Sequence, residues 1–226
     1  MSLMIPECLR GSLIVSCQAP PGDPLDSVDT LRRIAASVVR GGARGLRANG
    51  VECVRAFRLE TAVPIIGIQK VRLGGEISIT PDFASAKSIA DAGADIIALD
   101  CTISRSPVAE PWRELIGKVH AELGKPVLAD IATFEEAMDA QEAGADAVAT
   151  TLYGFTAATA GFQAVNWELV ARLIDALRVP LIVEGHISRP EEVGRAIKLG
   201  AYAVVVGSAI TRPESIAARF AAALRD

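Results

Sequence analysis

Ala92-Gly93-Ala94-Asp95-Ile96-Ile97-Ala98-Leu99-Asp100 is the stretch on which the fold turns. A glycine closes a helical pattern, a short apolar run follows, and the run stops on a carboxylate. The same grammar returns at Ala143-Gly144-Ala145-Asp146, ahead of the run 146–151, and at Leu199-Gly200-Ala201-Tyr202, ahead of 202–207. Gly41-Gly42-Ala43 is a looser copy. Glycine recurs because helices commonly end with one residue in the left-handed conformation, which glycine adopts without steric cost. A helix-then-strand unit is being repeated.

Outward from these entries the repeat fills the chain. Strand-like runs fall at 13–18, 43–47, 64–70, 95–100, 126–130, 146–151, 180–184 and 202–207. Between them, segments such as 26–40, 111–123, 133–143, 167–177 and 189–199 carry apolar residues at helical spacing. Thr133 with Glu136, and Ser188 with Glu191, read as capping boxes that start two of these helices. Alternating strands and helices imply a parallel sheet with right-handed crossovers, and eight units close into a (β/α)8 TIM barrel. No linker divides the chain, so residues 1–226 read as a single barrel domain. The alternative, an open doubly wound sheet, calls for a glycine-rich loop after the first strand; Ser16-Cys17-Gln18-Ala19-Pro20 stands there instead.

Composition narrows the class of function. Hydrophobic residues make up 50% of the 226 and aromatics only 4%, so aliphatic side chains must build the core. A net charge of −4 with no basic stripe offers nothing to nucleic acid. No apolar run is long enough to span a membrane, and the segment 1–11 lacks the pattern of a signal peptide. Cys8, Cys17, Cys53 and Cys101 show no paired spacing and read as reduced thiols of a cytoplasmic protein. Cys17 or Cys101 as a nucleophile is a minor alternative, since neither His120 nor His186 falls where it would partner them. His120 reads as a solvated helix residue.

A barrel carries its site at the C-terminal ends of its strands. Read in order, those ends are Gln18, Arg47, Lys70, Asp100, Asp130, Thr150 with Thr151, Glu184, and Gly207 with Ser208. A lone polar residue at a strand end is as often a helix cap as a ligand, but a converging ring with one lysine and several carboxylates points to acid–base chemistry. Lys70 follows Ile66 and Ile68 on one face. A lysine desolvated beside a cation such as Arg47 loses its proton readily, and then serves as a general base or forms a Schiff base. Glu184 reads as a proton donor opposite it, or as a holder of a cation. The last two strand ends, Glu184-Gly185-His186-Ile187-Ser188 and Val206-Gly207-Ser208-Ala209-Ile210, resemble a phosphate cradle. Gly185 and Gly207 permit close backbone approach, and Arg212 adds a cation.

At these residues the chain resembles the N-acetylmannosamine-6-phosphate 2-epimerase family, which interconverts that sugar phosphate and N-acetylglucosamine 6-phosphate. The resemblance runs from Gly11 to the C-terminus. It rests on Ser16-Cys17-Gln18-Ala19, Gly45-Leu46-Arg47-Ala48-Asn49-Gly50, Ile66-Gly67-Ile68-Gln69-Lys70, Ile79-Thr80-Pro81, Ala98-Leu99-Asp100, Ala129-Asp130-Ile131, Thr150-Thr151-Leu152, Val183-Glu184-Gly185 and the segment from Val205 to Pro213. The resemblance implies Lys70 as the base for the C2 proton and Glu184 as the acid on the opposite face. It implies that Gln18, Arg47 and Asp130 orient the sugar, and that Gly185, Gly207, Ser208 and Arg212 hold its phosphate. It further implies a phosphorylated N-acetyl amino sugar as partner, a role in amino-sugar (sialic acid) catabolism, a homodimer, and no metal or organic cofactor.

Three stretches depart from the family pattern. His186 stands where an Arg or Lys is expected, Leu152-Tyr153-Gly154-Phe155-Thr156 replaces Leu-Ser-Gly-Tyr-Thr, and the loop Val71-Arg72-Leu73-Gly74-Gly75-Glu76 is short. These touch the fit of the sugar more than proton transfer. Competing readings are a Schiff-base aldolase or lyase using Lys70, a metal-dependent pentose-phosphate epimerase, and a silent sugar-phosphate sensor. The second wants more histidines than this chain supplies, and the third needs no opposed acid and base.

Overall fold

The computed structural model describes residues 3–73 and 76–224; Gly74 and Gly75, in the short loop after Lys70, lie outside them. The chain opens with a 3-10 turn, Glu7–Leu9, and then alternates strand and helix. The first half comprises β1 (Ser12–Cys17), α1 (Val28–Arg40), β2 (Gly45–Asn49), α2 (Val51–Glu60), β3 (Ile65–Ile68), the hairpin strands β4 (Lys70–Leu73) and β5 (Glu76–Ile79), and α3 (Phe83–Asp91). The second half comprises β6 (Ile96–Asp100), α4 (Trp112–Lys118), β7 (Val127–Asp130), α5 (Phe134–Glu142), β8 (Ala147–Ala149), α6 (Trp167–Ala176), β9 (Leu181–Glu184), α7 (Pro190–Leu199), β10 (Ala203–Val206), α8 (Ser208–Thr211) and α9 (Pro213–Ala222).

Eight strands close into a barrel in the order β1-β10-β9-β8-β7-β6-β3-β2, every neighbouring pair parallel. The (β/α)8 expectation holds, and the open sheet is excluded by closure between β1 and β10. Gly42, Gly93, Gly144 and Gly200 all have positive φ, between 97° and 114°, as the repeated strand entries require. The residues of each strand divide by alternation. Ile14, Ile66, Ile96, Leu128, Ile182 and Val205 fill the barrel itself. Val15, Leu46, Ile97, Val127, Val183 and Val204 pack outward under the helices.

The lower end of the barrel is closed. Ile5, Leu9 and Tyr202 join the inner cluster, with Leu9 fully buried, and a Cβ on Gly45 would lie 2.7 Å from Leu9 Cδ2. Nearby, the buried Asp146 accepts hydrogen bonds from the Leu3 and Val127 N–H groups at 2.9 and 2.8 Å. His120 Nε2 meets the same carboxylate at 2.7 Å, so this histidine is a tethered partner and not the solvated residue expected.

Two local expectations shift. The Thr133–Glu136 capping box is present. The second box moves by one residue: Pro190, with no N–H to satisfy, takes the first helical position, and Glu192 accepts from the Ser188 and Arg189 N–H groups at 2.7 and 3.0 Å. The third strand also ends early, at Ile68, and the chain turns into a two-stranded antiparallel hairpin, Lys70–Leu73 against Glu76–Ile79.

Gly67 tests how tightly helix and strand meet. A Cβ there would lie 2.7 Å from Ala94 Cβ, an atom with no rotamer to yield, and 3.5 Å from Ile89. Gly67→Ala is expected to lower stability by about 1–3 kcal/mol through overpacking, read from the midpoint of urea unfolding.

Candidate active site

The polar strand ends converge because each continues an inward-facing row of aliphatic residues: Ile14 leads to Ser16, Ile66 and Ile68 to Lys70, Leu128 to Asp130, and Ile182 to Glu184. At the centre is Arg47, inward on β2 and only 1% exposed. Its Nη1 donates to Asp130 Oδ1 at 3.0 Å and its Nη2 to Asp130 Oδ2 at 2.5 Å, a two-pronged pair. Nη1 also donates to Glu184 Oε2 at 2.7 Å. The Thr151 hydroxyl donates to Asp130 at 2.6 Å. Burial opposes charge on this guanidinium, but Asp130 and then Glu184 more than offset it, and its pKa ends above the ordinary arginine value.

Glu184 is held by its backbone. The Thr150 hydroxyl donates to the Glu184 carbonyl at 2.8 Å and accepts from the Glu184 N–H at 3.0 Å. Burial raises the carboxyl's pKa against the downward pull of Arg47, and Asp130 adds to the rise. Asp130 already balances the Arg47 charge through two bonds, so a second negative charge at that guanidinium is disfavoured. Lys70 stands on β3's side of the mouth. Its side chain as a whole is exposed at the rim, but its ammonium is surrounded by enough protein that desolvation, followed by the charge of Arg47, holds its pKa below the ordinary lysine value.

Lys70, Glu184, Arg47, Gln18, Gly185, Gly207, Ser208 and Arg212 line one cavity of about 300 Å³. Gln18 donates to Ser16 Oγ at 2.8 Å and keeps a buried Oε1 with no protein partner among the described residues, an acceptor suited to a ligand N–H or O–H. Arg212 pairs with the Asp23 carboxylate at 2.9 Å while its buried Nε–H meets no acceptor among the described residues. Gly185 has φ 95°, which a side chain would strain. His186 follows with φ 58°; its ring stacks on Phe155 at 5.2 Å and its Nε2 meets the Tyr153 carbonyl at 2.8 Å. A carbonyl only accepts, so Nε2 is the donor in this contact.

Three members of the ring fall elsewhere, the first being Thr150, whose hydroxyl is engaged with the Glu184 backbone. Asp130 is wholly buried and is not among the residues lining the cavity; it lies against Arg47. Asp100 turns away to accept from the Thr102 N–H at 2.9 Å and hydroxyl at 2.7 Å, a local cap for the chain after β6. The cysteine alternative loses its basis: burial pushes the Cys17 thiol up to about 12 and raises that of Cys101 well above its ordinary value. Ser16, Thr151, Phe155 and His186 also line the cavity. Thr151 was visible as a strand-end residue, whereas Phe155 lies in the loop beyond β8, where no periodicity marks it. Asp130→Asn is expected to cost about 3 kcal/mol in urea unfolding, because it strips a buried guanidinium of its balancing charge.

Comparison with known proteins finds relatives along nearly the whole chain. The family described as "Putative N-acetylmannosamine-6-phosphate epimerase" matches residues 31–226. A protein of Thermosynechococcus vestitus named "Putative N-acetylmannosamine-6-phosphate 2-epimerase" is 45% identical over 218 residues, 96% of this chain and 95% of its own. One of the same name from Clostridium perfringens is 40% identical, covering 95% of this chain and 97% of its own. Among solved structures, the N-acetylmannosamine-6-phosphate 2-epimerase from Clostridium perfringens superposes with a TM-score of 0.92 at 39% identity, over 96% of this chain and 95% of that one. A thiamine phosphate pyrophosphorylase from Pyrococcus furiosus gives 0.60 at 17% identity over 93% and 91%, a likeness of fold alone. By the extent of the family match and by relatives at 40–45% identity along nearly the whole chain, this protein belongs to the N-acetylmannosamine-6-phosphate epimerase family.

Proposed function

We propose that this protein is an N-acetylmannosamine-6-phosphate 2-epimerase that moves the C2 proton of the open-chain sugar through Lys70 and Glu184. One observation carries the reading. β3, which leads to Lys70, and β9, which ends in Glu184, are four strands apart in either direction around the barrel, and both side chains open on one cavity that Arg47 also lines. Inversion at a single carbon needs that opposition.

Only the open-chain aldehyde makes the C2 proton acidic, since it is then α to a carbonyl. Neutral Lys70 takes that proton from one face, and the electrons move onto the aldehyde oxygen as an enolate. Protonated Glu184 returns a proton to the other face, so C2 is inverted and the carbonyl restored. Arg47, still charged, is placed to stabilise the developing oxyanion. Exchange of Lys70 and Glu184 with water resets the pair. Gln18 supplies an acceptor for the acetamido N–H or a hydroxyl, and Gly185, Gly207, Ser208 and Arg212 receive the phosphate. The reading carries a role in amino-sugar catabolism with it. A cytoplasmic setting accords with four unpaired cysteines, and a homodimer, checked by sedimentation, completes the proposal.

The active form holds one proton between the two groups: adding a proton blocks the base, and removing one strips the acid. kcat/KM is therefore expected to be bell-shaped in pH. Burial raises Glu184 and lowers Lys70, so the limbs lie closer together than the ordinary values of about 4.3 and 10.4.

Proton NMR with N-acetylmannosamine 6-phosphate in D2O tests the reaction. The expected result is the 2-epimer carrying deuterium at C2, abolished in Lys70→Ala and Glu184→Ala. Borohydride trapping of substrate on Lys70, or cleavage products in place of the epimer, would overturn it in favour of a Schiff-base lyase. Binding without any exchange would mark a sensor.

A further inference from the structure

We infer that Asn49 is a positioning residue for Lys70, holding the lysine's backbone at the point where the barrel's own hydrogen bonding stops. The inference rests on the reading of Lys70 as the C2 base.

β2 and β3 run in parallel register up to Asn49 opposite Ile68, and the Gly50 N–H donates to the Ile68 carbonyl at 2.8 Å. In a parallel ladder the next rung joins the Lys70 N–H to the Gly50 carbonyl. That carbonyl is already taken, because α2 begins there and the Val54 N–H donates to it at 3.0 Å. The Asn49 side chain supplies the missing acceptor: its Oδ1 receives the Lys70 N–H at 2.9 Å. The preceding residue is fixed from the other side. Thr80 donates its N–H to the Gln69 carbonyl at 2.8 Å and accepts the Gln69 N–H on its Oγ1 at 3.2 Å.

Thr80 is fully buried with φ 47°, a left-handed conformation that costs a β-branched residue and is kept only where surroundings impose it. The Arg105 guanidinium clamps the Thr80 and Pro81 carbonyls at 3.2 and 2.8 Å, with a third bond to the Asp100 carbonyl at 2.6 Å. Gln69 is thus locked from the hairpin, and Lys70 from β2. Asn49 does not line the cavity, so its route to the chemistry is through Lys70 alone.

Steady-state kinetics with N-acetylmannosamine 6-phosphate, together with C2 exchange in D2O, test this. Asn49→Ala is expected to lower kcat roughly 10²-fold, the scale of a displacement of about 1 Å at a reacting group, with KM within about twofold of wild type. Asn49→Asp keeps an Oδ acceptor for the same N–H and is expected to recover most of the loss. If Asn49→Ala does not fold, Asn49→Gln, which displaces the amide by one methylene, is expected to show the same fall in kcat at constant KM. Wild-type kcat in Asn49→Ala, a rise in KM without a fall in kcat, or an Asn49→Asp as slow as Asn49→Ala would overturn the inference. A wild-type protein that exchanges no deuterium into C2 would instead overturn the reading of Lys70 on which it rests.

Discussion

A single buried guanidinium organises this barrel. Arg47 is almost sealed from water, and a charge so placed is tolerated only when it is matched and its donors are satisfied. Its partners come from three other places in the chain: Asp130 at the end of β7, Thr151 just past β8, and Glu184 at the end of β9. None is near it in sequence, so the charge is balanced only after the barrel has closed. The same pairing divides the labour of the carboxylates. Asp130 takes the bidentate position deep in the barrel and neutralises the arginine. Glu184, nearer the mouth, is left as a second carboxylate at a guanidinium already balanced, and burial then favours its protonated form.

Much of this was legible in the residues. Glycine before four of the eight apolar runs marked the repeat because a left-handed helix end favours it, and the four φ values bear that reading out. The rule that barrel strands end in the site picked out Gln18, Arg47, Lys70, Glu184, Gly207 and Ser208, and all of them share one cavity. What alternation could not supply was depth. It told Asp130 and Asp100 apart from apolar positions, but not that the first lies buried against Arg47 and the second turns back to Thr102.

The hairpin after β3 was hidden for a related reason. Gln69 and Lys70 continue the alternation of Ile66 and Ile68, so the sequence reads as one strand to Lys70. The break is imposed from elsewhere, by Thr80 holding both backbone groups of Gln69 and by Asn49 replacing a carbonyl lost to α2. Such side-chain substitutions for a ladder bond leave no periodic trace. The loop after β9 shows a further case: His186 stands where an Arg or Lys was expected, and the structure uses it as a wall, stacked on Phe155 and tied to the Tyr153 carbonyl.

The plug of Ile5, Leu9 and Tyr202 at the opposite end has a kinetic meaning. With its floor closed, the barrel is a vessel with one doorway, and both epimers must use it. They differ only at C2, so each occupies the same seat and blocks the other, and occupancy alone gives the reaction no direction. Traffic through such a site follows demand: whichever later step drains one epimer sets the way the carbon is turned.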